Sequence, residues 1–141
     1  MATNEHKLGQ IVTFYSYKGG TGRSMAVANC ACWLVKKFPA LTRKVLVMDW
    51  DLEAPGLHRY FAETACLQEN LDRPGIINYF DAIQNRLRDD SKLYERLEDE
   101  EGWKVFSQEF PLKDYLIPDV VSGVDLVKTV VSTSRNPCPF M

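Results

Sequence analysis

Two short stretches of the chain carry residues that could do chemistry, one rich in glycine and one acidic. The first, the glycine loop (residues 17–24), reads Tyr-Lys-Gly-Gly-Thr-Gly-Arg-Ser. Glycines adopt backbone angles closed to other residues, so consecutive N–H groups can turn toward one anion, and a following helix adds its positive dipole end. The loop therefore predicts a phosphate site formed by the backbone from Gly19 to Ser24. A glycine-rich turn without a ligand is the alternative.

The acidic turn (residues 49–56) follows the continuous apolar run 45–48. Such a run is typical of a parallel strand buried on both faces. Because the carboxyl ends of parallel strands line the ligand crevice of an open α/β sheet, Asp49 and Asp51 are expected to face the same cavity as the glycine loop. Two carboxylates would repel a bound triphosphate unless a cation lies between them or one carboxylate orients a water molecule. Acids that only cap the strand and bind a turn are the alternative.

The surrounding sequence predicts the elements that position these stretches. Residues 10–16 are β-branched and aromatic and predict a strand, and residues 24–38 predict a helix that is apolar on most sides. With the strand 45–48 they predict a right-handed βαβ unit over about residues 10–56. Further along, the patterns predict a short helical turn at 57–61, helices at 75–88 and 92–98, and a third strand at 124–131.

Composition limits the possible classes of protein. The chain has 141 residues, 45% hydrophobic and 26% charged, which fits one globular domain. Its formal charge of −2 gives no electrostatic reason to bind nucleic acid. We expect a cytoplasmic protein without autonomous membrane binding, because no run approaches the roughly 18 apolar residues of a membrane span and the first residues lack a signal-peptide pattern. The four cysteines lack metal-site spacing and are expected to be small buried side chains.

The two stretches together resemble a known family. The run from Lys18 to Ser24 matches K-G-G-x-G-[KR]-[ST] and resembles the deviant Walker A motif of the ParA/MinD/ArsA class of P-loop ATPases, in the variant with arginine at the usual lysine position. Asp49-Trp50-Asp51 resembles the second motif of that class. The resemblance is specific over residues 10–61 and implies an α/β P-loop nucleotide-binding domain, with a parallel sheet flanked by helices. Residues 1–141 would then form the amino-terminal part of that domain.

The resemblance implies a role for each matching residue in the glycine loop. Lys18 takes the position of the signature lysine, which reaches the partner subunit's phosphates in a nucleotide-bound dimer and is counted there as catalytic. Arg23 takes the position of the phosphate-binding lysine, and Ser24 that of the magnesium ligand. The remaining residues contact phosphate through their backbone N–H groups: Gly19, Gly20, Thr21 and Gly22.

In the acidic turn, the resemblance places Asp49 near the magnesium ion as a metal-binding residue and makes Asp51 the catalytic residue that orients or activates the attacking water. Trp50 is expected in the core rather than against adenine. The implied activity is Mg²⁺-dependent ATP hydrolysis that drives a nucleotide-dependent homodimer, acting on an unidentified protein partner.

Two departures from the family pattern favour another class of function. Arg23 is planar and bidentate where lysine is a compact point charge, and no Walker B turn or adenine-binding segment is recognisable in the sequence. The alternative is an interaction or regulatory module that binds nucleotide without hydrolysing it, whereas Asp51 favours an enzyme. The isolated chain is expected to be a weak or inactive ATPase.

Overall fold

The computed structural model of the chain describes residues 9–40, 42 and 44–129. Over these residues the protein is a mixed α/β fold built on a three-stranded sheet. In chain order, the elements are α1 Arg23–Lys37, β1 Val45–Met48, a first 3-10 helix Leu57–Phe61, α2 Ala65–Glu69, α3 Ile76–Asp89, α4 Ser91–Glu98, α5 Gly102–Glu109, a second 3-10 helix Leu112–Tyr115, β2 Leu116–Val121 and β3 Val124–Val127.

The sheet is mixed, with β3 between the other two strands. β1 runs parallel to β3, with Val45 opposite Val124. β2 runs antiparallel to β3 and is joined to it by a tight turn in which Gly123 has a φ of 83°. That left-handed angle favours glycine, so the hairpin closes there without side-chain strain. Pro118 is tolerated within β2 because the strand lies at the edge of the sheet.

The side chains of the sheet pack into two separate hydrophobic cores. Val124 and Leu126 of β3 pack with Ala28 and Ala31 of α1 in the first core, while Val127 belongs to the second. Successive side chains of a strand point to opposite faces, so α1 and α3 lie on opposite sides of the sheet. The other buried members of the first core are Val47, Leu57, Phe61, Leu67, Ile117 and Val120, and those of the second are Ile76, Tyr79, Leu93 and Phe110.

The predicted helices and the strand 45–48 are confirmed, with helix ends within one residue of the prediction. The short turn at 57–61 is confirmed as the first 3-10 helix. Of the third predicted strand, 124–127 forms β3, and residues 130 and 131 lie outside the described residues.

The strand prediction for residues 10–16 is wrong, because this segment has no strand structure and Ile11, Val12 and Tyr15 are exposed. β-branched and aromatic residues favour a strand only where a pleated, half-buried surface is available to them. Residues 10–16 lack such a surface, because β1 pairs with β3 and not with this segment. The predicted βαβ unit over 10–56 is therefore absent, and the predicted all-parallel sheet is wrong because β2 joins β3 as an antiparallel hairpin.

α1 is apolar on most sides, as predicted, and part of its apolar surface is exposed. Trp33, Leu34 and Phe38 are exposed around the carboxyl end of this helix. The prediction of buried cysteines is wrong for Cys30, which is exposed, while Cys32 and Cys66 are half-buried. Ala28 and Ala31 mark the side of α1 that is buried against the sheet. Cys30 falls on the other side of the helix, because successive residues are rotated by about 100° around its axis. Cys138 lies outside the described residues.

Candidate phosphate-binding site

The glycine loop turns directly into the amino end of α1. Gly20 and Gly22 have φ angles of 73° and 76°, the left-handed region that glycine reaches without strain. Gly22 is the residue before the helix, and no side chain caps that end. Within the described residues, no acceptor receives a hydrogen bond from the backbone N–H groups of residues 18–22. These donors, with the unpaired N–H groups of the first helical turn, fit an anion.

Ser16, just before the loop, links three residues of the loop through hydrogen bonds of its hydroxyl group. Its hydroxyl donates to the Lys18 carbonyl at 3.0 Å and accepts from the Thr21 hydroxyl at 3.0 Å and from Arg23 Nη1 at 2.9 Å. The sequence reasoning missed this residue, because it treated Ser16 only as the end of a strand. A serine next to a glycine-rich turn is a common local hydrogen-bonding partner, and that was the available signal.

Arg23 joins the glycine loop to the acidic turn. Its Nη2 lies 2.7 Å from Asp51 Oδ2, and both side chains are partly buried. The backbone N–H of Ala54 and then the Arg23 guanidinium hold the pKa of Asp51 below its usual value. Asp51 is therefore ionised at neutral pH and lies beside the loop.

Asp49 organises the acidic turn from within. Only 5% of the residue is exposed, and its carboxylate accepts hydrogen bonds from the backbone N–H groups of Asp51, Gly56 and Leu57 at 3.1 to 3.2 Å. Its own carbonyl accepts from the Thr129 hydroxyl at 3.0 Å. For Asp49, this arrangement matches the alternative stated above, in which the acid caps the strand end and binds the turn. A magnesium-binding role for Asp49 stays a prediction.

A cleft of about 250 Å³ opens where the glycine loop meets the first 3-10 helix, lined by Ser24, Gly56, Arg59 and Tyr60. The sequence reasoning found Ser24 but gave Arg59 and Tyr60 no role. Leu57 and Phe61 of this helix enter the core, and Arg59 and Tyr60 between them are exposed, an arrangement that no sequence signal indicated.

The remaining residues predicted for the loop lie at the surface. Lys18, Gly19, Gly20 and Thr21 are exposed, and within the described residues Lys18 forms no ion pair. A methyl group built on Gly19 or Gly20 would meet nothing within 4 Å, so the loop surface is open. An open surface is what contact with a second molecule would require.

Trp50 does not lie in the core, so that prediction is wrong. The residue is 57% exposed and packs against Phe80 of α3, with ring centroids 5.7 Å apart. Trp50 alternates with the two acids of the turn, and Asp49 takes the buried direction. The contact with Phe80 links the acidic turn to the helix on the other side of the sheet.

Two titratable groups near the acidic turn, Lys128 and His58, are buried and half-buried, respectively. Burial lowers the pKa of Lys128, whose Nζ donates to the carbonyl of Leu71. Burial also lowers the pKa of His58, as does the neighbouring Arg59, while Asp49 raises it and Lys128 lowers it. Burial therefore disfavours the charged form of both side chains.

Within residues 9–40, 42 and 44–129, no group of three or more metal-ligating side chains occurs. In the same part of the chain, no helix is long and apolar enough to cross a membrane. No known protein family, curated protein or solved structure matches the chain.

Proposed function

We propose that the chain binds ATP with Mg²⁺ as a P-loop nucleotide-binding protein of the ParA/MinD/ArsA type and hydrolyses it to drive a nucleotide-dependent homodimer. One observation carries the proposal. The Arg23–Asp51 contact at 2.7 Å brings an acidic turn beside a glycine loop whose backbone donors lie at the amino end of a 15-residue helix. Hydrogen-bond donors for phosphate and a carboxylate that could orient a water molecule are thereby within one site.

The donors of the site fit the phosphate part of a nucleotide. The free N–H groups of residues 18–22 and the positive end of α1 favour a multiply charged anion. The Ser24 hydroxyl forms no hydrogen bond within the described residues and would hold Mg²⁺. Bound Mg²⁺ would neutralise the charge that develops on the transferring phosphate.

Asp51 would act on water by orientation rather than by taking its proton. A carboxylate whose pKa is lowered is a weak base, but it remains a strong hydrogen-bond acceptor. Lys18, exposed at the loop surface, would deliver its charge to the phosphates of a second subunit, as an arginine finger does. Association of two chains across bound nucleotide is therefore part of the proposal.

A test of the proposal is titration of the chain with Mg-ATP by calorimetry. Gly22→Val should abolish binding, because valine disfavours a φ of 76° and the loop would have to change shape. Gly9→Val is the matched control, since Gly9 precedes the loop and its added methyl group meets nothing within 4 Å. Equal binding by the wild-type chain and Gly22→Val would contradict the proposal.

A second candidate is a module that binds nucleotide but does not hydrolyse it. The observation that favours it is the engagement of the acids, because Asp51 is paired with Arg23 and Asp49 with backbone N–H groups. Phosphate release under saturating Mg-ATP separates the two candidates. Even slow release that Asp51→Ala abolishes supports the ATPase, and release no faster than from Mg-ATP alone supports the module.

A further inference from the structure

The cleft beside Ser24 is small and open, and Arg59 is the charged residue in its lining. Its volume of about 250 Å³ is below the roughly 300–1,000 Å³ of pockets that enclose a whole drug-sized ligand. It therefore suits a chain of phosphate groups better than a complete nucleotide. Its polar lining comes from two elements, with Ser24 at the start of α1 and Arg59 in the first 3-10 helix.

The charge of Arg23 is already neutralised on the other side of the loop. Its guanidinium donates to Asp51 at 2.7 Å and to the Ser16 hydroxyl at 2.9 Å. Arg23 is therefore not free to give its full charge to a phosphate over Ser24, and a second arginine in the cleft would add positive charge there. Arg59 lines the same cleft, and within the described part of the chain it forms no ion pair.

The backbone around Arg59 is held firmly although its side chain is exposed. Leu57 and Phe61 on either side are buried in the first core. The start of the helix is fixed because Asp49 accepts hydrogen bonds from the N–H groups of Gly56 and Leu57 at 3.2 and 3.1 Å. A guanidinium on such a fixed backbone presents a planar set of donors that matches phosphate oxygens.

We infer that Arg59 is a phosphate-binding residue and that, with Ser24, it forms a polyphosphate subsite in this cleft. The inference deepens the proposed function and rests on it for the identity of the nucleotide, but the phosphate chemistry of the cleft can be tested without a nucleoside. Arg59 replaces, from a second element, the positive charge that Arg23 gives to Asp51.

The experiment measures the affinity of the whole chain for inorganic tripolyphosphate and for Mg-ATP by calorimetry, at low and at moderate salt. Arg59→Ala should weaken both affinities about tenfold, because a charge-assisted hydrogen bond is lost. Arg59→Lys should recover part of the loss, since lysine keeps the charge but not the planar fork. Arg88→Ala, at an exposed arginine near the end of α3, is the matched control and should bind like the wild-type chain.

The two ligands separate this inference from the proposed function. Tripolyphosphate binding that depends on Arg59, without ATP binding, supports the subsite and overturns the nucleotide proposal. Wild-type affinity of Arg59→Ala for both ligands, with an unchanged melting temperature, overturns the subsite and leaves ATP binding intact. A wild-type chain that binds neither ligand overturns both, and losses of similar size in Arg88→Ala and Arg59→Ala overturn the subsite.

Discussion

Residues 10–16 and β1 are both apolar, and each leads into one half of the candidate site, yet only β1 is built into the sheet. Val47 of β1 is 4% exposed, whereas Val12 is 72% exposed. β1 has a parallel neighbour in β3, so the position of the acidic turn is fixed by the core. The glycine loop is tied to that turn by side chains instead, chiefly Arg23 and Ser16. Similar strand propensity thus produces different structure when only one segment has a partner.

The most direct test of this difference between β1 and residues 10–16 is to place the same charge in each segment. Val47→Asp should destabilise the fold by more than about 3 kcal/mol, because it buries an unpaired carboxylate among apolar side chains. Val12→Asp should change the free energy of unfolding by less than about 0.5 kcal/mol. Urea denaturation measures both variants. Similar large losses in the two would mean that residues 10–16 are buried in a sheet.

A second test removes the acid that shapes the acidic turn. Asp49→Ala should cost about 2–4 kcal/mol of stability, since three backbone N–H groups lose a buried acceptor. The free energy of unfolding from urea denaturation is the measurement. Glu53→Ala, at an exposed acid in the same turn, is the control and should have little effect. Wild-type stability of Asp49→Ala would show that the turn is held by other contacts.

A third test separates the glycine loop from the acidic turn. Arg23→Gln should cost only about 0.5–1 kcal/mol, because the ion pair with Asp51 is partly exposed. It should raise the pKa of Asp51 only part of the way to its usual value, since the Ala54 N–H remains. Backbone order parameters from NMR relaxation should fall at residues 17–22 while those of β1 stay high. An equal fall in both regions would contradict a loop that is held chiefly by side chains.

The sequence predicted the helices α1, α3 and α4 and the strands β1 and β3, but it failed on the strand β2 and on which strands pair. Each of α1, α3 and α4 carries its own apolar periodicity, so its span could be predicted within about one residue. The antiparallel β2 contains Pro118 and a bulge near Asp119, which obscured its alternation. In the site, the glycine spacing identified the loop.

Contacts that depend on tertiary structure were beyond the sequence. The Arg23–Asp51 ion pair joins residues 28 positions apart, and its geometry depends on how α1 packs against β1. The place of Arg59 in the cleft follows from the burial of Leu57 and Phe61 in a core that the order of residues does not reveal. Trp50 was misplaced because a large aromatic residue next to a buried acid gives no sign of which of the two faces inward.

The smallest effect is expected from pH. Burial lowers the pKa of His58 from its usual 6.5, so below that pH the unfolded chain binds more protons than the folded chain. Stability should therefore fall as the pH decreases through 6.5 and be fully present above it. His58→Gln should flatten this slope between pH values of about 7.5 and 5.5 in urea denaturation. A slope unchanged by the substitution would assign the titration to another group.

The end of β3 is a shared attachment point for the two sides of the sheet. Thr129 donates its hydroxyl to the carbonyl of Asp49 at 3.0 Å, and the carbonyls of Lys128 and Thr129 accept from the N–H groups of Ile76 and Ile77 at the start of α3. The acidic turn and α3 are thus both hydrogen-bonded to two adjacent residues that follow β3, Lys128 and Thr129. A movement of the acidic turn would therefore be transmitted to the start of α3, on the opposite face of the sheet.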